Sequence, residues 1–274
     1  MGIAASLITV ALLNAAVALD PFKPSVKDQL KLGQRAAAEI RKKEKVLPDD
    51  DPRTRLIRRL GTRVLSSIQG KSEPWQFSFD VIESKELNAF ALPGGPLFFY
   101  TGLIDKLSTE DQVASIIGHE ITHVRREHWA RAYADQQKRG LGITALLWIL
   151  NAGGTAYDIA SISNELLFSL PNSRRAETEA DNGGIDLIVA AGYNPNGMAD
   201  VFRMFGAQKG AGGTPEFLRT HPTDKRRVAD IEKRIASLKK TFPPQTPLPG
   251  KMAKATGKTV LSWLPKGAWV DCEH

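Results

Sequence analysis

The sequence predicts an α+β domain that is mostly helical and carries a small β-sheet, on three observations. Apolar residues recur at helical spacing in five separate stretches. Strand-like segments are confined to one region, 76–101. At 274 residues with 42% hydrophobic composition, the chain can bury one substantial core or two small ones, and disorder of the whole chain is excluded.

The first helical stretch, 25–47, sets Val26, Leu30, Ala37 and Ile40 among Lys, Arg and Glu and stops before Pro48. A second is expected from Pro52 to about Gln69. Gln76 to Ile82 alternates with period two and reads as a strand. Leu87 to Leu92 is a candidate second strand, and Phe98 to Thr101 a third, entered through the turn signal Pro93-Gly94-Gly95-Pro96. Ser108-Thr109-Glu110-Asp111 is a helix start with acidic residues in the first turn, and Val113, Ile116, Ile117, Ile121 and Val124 continue its apolar stripe. One long helix is therefore expected from about 109 to 137. Ile143 to Leu150 is strongly apolar but only about half a bilayer-spanning length, which suits core or a lid better than membrane. A helix from about Ser173 to Ala191 is closed by Gly192 and by Asn194-Pro195, and a last helical pattern ends near Lys240. Pro243, Pro244, Pro247 and Pro249 mark a linker from this domain, 25–240, into a tail, 241–274, that holds Trp263, Trp269 and Cys272.

Charge and cysteine usage narrow the chemistry. Thirty-seven basic against 30 acidic residues give a net charge of +7, spread over 35–63, 125–139 and 225–240 with apolar residues interleaved. Solvated helix faces are the ordinary reading, and attraction to an anionic membrane surface is the other. Nucleic acid is not expected as a partner, because no recognisable binding motif accompanies the charge. Cys272 is the single cysteine, so no disulfide within the chain and no cysteine-rich metal site can form. Residues Ile3 to Leu19 form an apolar run with Ala16-Val17-Ala18 at its end, a small-x-small cleavage pattern. Residues 1–18 therefore read as a signal peptide, with an uncleaved anchor as the alternative because no Lys or Arg precedes the run. Export to a bacterial periplasm or cell envelope follows from either.

The chemistry concentrates in Gly118-His119-Glu120-Ile121-Thr122-His123, an H-E-x-x-H pattern inside a predicted helix. A spacing of four advances a helix about 40° beyond a full turn, so both imidazoles leave one face and can chelate one ion. Zinc favours imidazole and carboxylate donors, and a hydrolytic site leaves one position to water. The ion lowers the pKa of that water, and Glu120 is placed to take its proton. Chance alone yields the pattern in on the order of 1% of chains this long, so an ordinary helix with two surface histidines is the reading to beat. His128, five residues beyond His123, would point about 140° away on a continuing helix, as a surface group or a support rather than a ligand. For a third ligand, Glu177 and Asp181 share a helix face, which would let Glu177 bind metal while Asp181 orients a ligating histidine. Glu179 faces elsewhere. Helical geometry leaves this pair open against a solvated acidic cluster.

Several further segments carry a resemblance. Asn88 to Gly95, Tyr100 to Ile104, His119 to His123 with His128, Ser173-Arg174 with Glu177 and Ala180-Asp181, Ala191 to Pro195, and Thr220-His221-Pro222 occur in the order found in gluzincin zinc peptidases. The chain resembles the family of the CAAX prenyl endopeptidase and HtpX, and especially its exported branch, typified by BepA and LoiP. The resemblance implies a compact, mostly helical metallopeptidase domain whose small sheet packs on the active-site helices. It also implies one Zn²⁺ held by His119, His123 and Glu177, with Arg174 and Asp181 supporting the ligands from behind. Asn88, Ala89, Phe90 and Ala91 would be the sheet edge on which an extended substrate is laid, although core packing also suits Phe90. His221 would lie near the zinc, as an occluding ligand or as a donor to the oxyanion.

The resulting expectation is a zinc endopeptidase of unfolded or mis-assembled envelope proteins, with a Glu120-activated zinc water as nucleophile. A chaperone-like binder whose zinc site is closed by His221 is the alternative. No 30–40-residue repeat accompanies the domain, so the helical-repeat docking domain of BepA is not expected here.

Overall fold

The computed structural model describes residues 20–68, 73–139, 172–207, 214–222 and 225–249. The run 1–18, the apolar stretch Ile143 to Leu150, and Trp263, Trp269 and Cys272 all fall outside these residues. Among the described residues no helix is long and apolar enough to cross a membrane.

Two helices open the domain. Helix α1 (Val26–Lys43) begins at a capping box in which Ser25 and Asp28 satisfy each other's backbone N–H groups. Helix α2 (Pro52–Ser66) has Asp51 as its N-cap and proline at its first position, where no N–H is missed. Three short strands follow: β1 (Ser78–Ile82), β2 (Ala89–Ala91) and β3 (Pro96–Tyr100). They form one sheet in the order β1-β3-β2, with β1 and β3 parallel and β2 and β3 antiparallel. The turn between β2 and β3 places Gly94 and Gly95 at φ 85° and 130°, a conformation that side chains disfavour. The third strand begins two residues before the predicted start and ends one residue before the predicted end, and Thr101 instead begins the short helix α3 (Thr101–Lys106).

Helix α4 (Glu110–Arg125) is the centre of the core, buried on nearly every side. Its Thr109–Gln112 capping box is the start that the sequence signals. The long helix expected over 109–137 is divided. Glu127 takes a left-handed conformation, φ 53° and ψ 39°, and α5 (His128–Lys138) leaves in a new direction. That conformation is costly for a residue other than glycine. It is offset by Lys23 Nζ and Gln29 Nε2, which donate to the Glu127 carboxylate at 2.9 and 2.8 Å.

The remaining helices among the described residues are α6 (Arg174–Ala190), α7 (Asn196–Ala207), α8 (Glu216–Thr220) and α9 (Lys225–Ser237). The pairing of α4 with α6 is the most extensive in the domain. It is close because glycines face each other: a Cβ on Gly118 would stand 3.0 Å from the Gly184 carbonyl, and one on Gly184 would stand 2.9 Å from the His119 nitrogen. Backbones at this distance let a side chain from α6 reach the H-E-x-x-H face of α4.

The proline-rich segment read as a linker is docked as far as residue 249. Glu110 N–H donates to the Thr246 carbonyl, Thr246 N–H to Asp111 and Leu248 N–H to the Ser108 carbonyl, while Leu248 is buried in the core. The start of α4 carries N–H groups with no partner in their own helix, and an extended strand without internal hydrogen bonds supplies one of them with a carbonyl.

Candidate metal centre

Helix α4 delivers both histidines of the motif to one face, as the spacing demands. His119 Nε2 and His123 Nε2 are 3.0 Å apart. Across the close α4–α6 contact, Glu177 brings Oε2 to 3.6 Å from His119 Nε2 and Oε1 to 3.4 Å from His123 Nε2. His221 follows α8 and closes the group, with Nδ1 3.2 Å from His119 Nε2 and 3.1 Å from Glu177 Oε1. One donor atom from each of these four buried residues lies within 4.8 Å of the others.

This donor set fits a zinc ion. A neutral imidazole carries one N–H and one lone pair, and three ring nitrogens crowd together with a carboxylate in a largely buried space. A cation among them would accept the lone pairs of all four groups. Burial lowers the pKa of both His119 and His123, which keeps the rings neutral, as ligation requires. Burial also opposes charge on Glu177, yet His221 and Arg227 outweigh it and hold the carboxyl well below the usual range.

Each motif histidine has a partner behind it. His119 Nδ1 is 3.0 Å from Asp181 Oδ1. His123 Nδ1 is 2.8 Å from His128 Nδ1. The break at Glu127 causes this second contact, for it turns His128 inwards to 3% exposure instead of 140° away. His128 Nε2 in turn lies 3.2 Å from Glu179 Oε2, which also accepts from Arg131 at 2.8 Å, while Arg175 binds the other oxygen at 2.9 Å. Hydrogen bonds from Arg131 and Arg175 bring Glu179 down to about 2, and burial brings His128 down to about 3. At neutral pH the first is an anion and the second a neutral ring.

Arg174, expected to support the ligands, is the exposed first residue of α6 and lines a cavity with Glu177, Asp181 and Arg227. The guanidinium behind the ligands is that of Arg227 on α9. It contacts Glu177 Oε2 at 2.5 Å, grips both Asp181 oxygens at 2.8 Å and covers the Phe202 ring at 4.0 Å. Sequence reasoning placed Arg227 in a solvated basic stretch. The one available signal was its phase, since Val228, Ile231 and Ile235 set the inner face of α9 and Arg227 lies beside it.

Glu120 faces the same space, with Oε1 3.3 Å from His221 Nε2. Burial raises its pKa, while His221 and His123, and to a smaller degree the Ala91 N–H, work in the opposite direction. Leu92 and Asn88 bond to β3 through Leu92 N–H to the Pro96 carbonyl and Tyr100 N–H to the Asn88 carbonyl. By the alternation of an antiparallel ladder, the backbone groups of Ala89 and Ala91 point off the sheet, towards α4. Phe90, Ala91 and Leu92 line a cleft with Glu120, His123 and His221. The side chains of Phe90 and Leu92 pack in the core against Phe98, so backbone and side chains serve different ends.

Comparison with known proteins agrees with this geometry. The profile of Peptidase family M48 matches residues 51–235. The chain is 28% identical over 223 residues to the beta-barrel assembly-enhancing protease of Escherichia coli, covering 78% of this chain and 45% of that protein. It is 31% identical over 196 residues to a putative beta-barrel assembly-enhancing protease of Vibrio cholerae, covering 69% and 39%. A mitochondrial metalloendopeptidase of Schizosaccharomyces pombe is 30% identical over 194 residues, covering 69% and 55%. The matched region is thus less than half of the two bacterial relatives. With a family profile spanning most of the domain and the motif helix at its centre, the chain belongs to peptidase family M48.

Proposed function

We propose that this chain is a zinc-dependent endopeptidase acting on unfolded or mis-assembled proteins of the bacterial cell envelope. The observation that carries the reading is the convergence of His119, His123 and Glu177 beside the Glu120 carboxylate, all buried. His119, His123 and Glu177 would hold the ion. When bound, zinc supplies an electrophile that acidifies water and polarises the scissile carbonyl. Glu120, whose proton affinity burial has raised, takes the proton of the attacking water and passes it to the leaving amine. A peptide laid along Ala89 and Ala91 as an added strand would be held by main-chain bonds, which suits substrates defined by being extended rather than by sequence. The envelope as the place of action rests on the run 1–18 and on the kinship with proteases named for β-barrel assembly.

His221 favours a second state of the same enzyme. One of its nitrogens is in the donor group and the other faces Glu120, so a single imidazole occupies both places an attacking water needs. In this state the protein would bind clients without cutting them. Casein hydrolysis that stops with a chelator and is absent in Glu120→Gln supports the enzyme. Client binding by wild type with no chelator-sensitive cleavage would support the closed binder. Metal analysis of wild type and His119→Ala tests the ligand assignment.

A further inference from the structure

Behind the metal-facing histidines stand two orienting arrangements, and only that of His119 was foreseeable from the motif. His123 is backed by another histidine, and that histidine by a carboxylate: His123 Nδ1 to His128 Nδ1 at 2.8 Å, then His128 Nε2 to Glu179 Oε2 at 3.2 Å. We propose that Glu179 and His128 are positioning residues that fix the tautomer of His123, so that its Nε2 lone pair faces the metal. The inference rests on the zinc reading of the site and deepens it.

The argument is one of donors and acceptors. An ionised carboxylate accepts hydrogen bonds and donates none, so His128 must place its N–H at Nε2. Its Nδ1 is then an acceptor. Two ring nitrogens 2.8 Å apart need one N–H between them, so His123 carries its proton at Nδ1 and leaves Nε2 bare. Reversing any link would put an N–H where the cation belongs. Glu179 is itself held, by Arg131 at 2.8 Å and Arg175 at 2.9 Å, so it cannot swing away without losing both. His128 is buried, and the left-handed turn at Glu127 gives it its direction. A relay from an exposed salt-bridge cluster to a buried metal ligand is thereby built into the junction of α4, α5 and α6. Outer partners of this kind hold a ligand ring in place and raise its basicity.

The test measures zinc affinity by chelator competition and the ring-nitrogen NMR signals of histidine-labelled protein, without reference to turnover. His128→Leu is expected to weaken zinc binding by about 10- to 100-fold. His128→Asn, whose side-chain oxygen can stand where Nδ1 stood, restores most of it. In zinc-free wild type, His123 is expected to be protonated at Nδ1. In Glu179→Gln, whose amide both donates and accepts, the ring-nitrogen signals of His128 and His123 shift towards a mixture of tautomers. If His128→Leu does not fold, Glu179→Gln at the partly exposed end of the relay decides. Zinc affinity within about twofold of wild type in the folded variants, far below the usual cost of losing such a partner, would overturn the relay. So would His123 protonated at Nε2 in wild type. A wild-type protein that binds no zinc would instead bring down the metal reading itself.

Discussion

Arg227→Met separates the part of this site that supports the fold from the part that supports chemistry. Glu177 and Asp181 are 3% and 4% exposed, and one guanidinium, with its side chain 9% exposed, neutralises both at 2.5 and 2.8 Å. Methionine fills similar space and leaves two buried carboxylates to His119, His123 and His221 alone. Removing one partner of a buried ion pair costs about 3–5 kcal/mol. For a domain of this size each kcal/mol moves the melting temperature by about 2–4 °C, so the zinc-free variant should melt about 6–20 °C lower. Zinc restores positive charge beside Glu177 but not behind Asp181, so the loss in the zinc-loaded protein should be smaller yet not vanish. Thermal unfolding followed by circular dichroism, with and without zinc, reads both numbers. A zinc-free drop under about 2 °C, or equal drops in the two states, would show that Arg227 is not the counter-charge of Glu177.

Four other perturbations separate the readings. Glu120→Gln should retain zinc and lose at least about 100-fold in casein hydrolysis, since it removes the base and keeps every proposed ligand; normal turnover would sink the mechanism. Glu177→Ala should abolish tight zinc binding whereas Glu179→Ala only weakens it, and equal zinc content in both would show that the wrong carboxylate was chosen. His221→Ala should raise activity if the imidazole blocks the site and lower it, with zinc retained, if it serves the oxyanion; the contact with the donor group favours the rise. His128 titrates near 3 when folded, against about 6.5 unfolded. Between these values the unfolded chain holds the extra proton, so folding stability falls as pH falls, at up to about 1.4 kcal/mol per pH unit. Denaturant unfolding of zinc-free His128→Leu should show a shallower pH slope over this window, and an unchanged slope would contradict the assignment.

What was legible in the sequence is what local rules govern. Caps wrote the starts of α1, α2, α4 and α6 into Ser25, Asp51, Thr109 and Ser173, and helical phase put His119, His123, Glu177 and Asp181 on their proper faces. Helix α7 and the short α3 and α8 were not foreseen. Asn194-Pro195 reads as a stop, yet Asn194 Oδ1 accepts the Asn196 N–H and starts the next helix, so the same residues end one element and cap another. Contacts between distant stretches escaped altogether. The phase of Arg227 hints that it turns inwards, but nothing near it names Glu177 as its partner, and Arg174, nearer in sequence to that ligand, is exposed. His128 was misdirected for one reason, the left-handed turn at Glu127. Helical periodicity cannot anticipate that turn, because its compensation comes from Lys23 and Gln29, about 100 residues away. Glu179 shows how far such a contact carries. It does face away from the metal, as its phase requires, but the turn brings His128 round to meet it, and a residue that local geometry leaves in solvent becomes the outer end of the ligand's support.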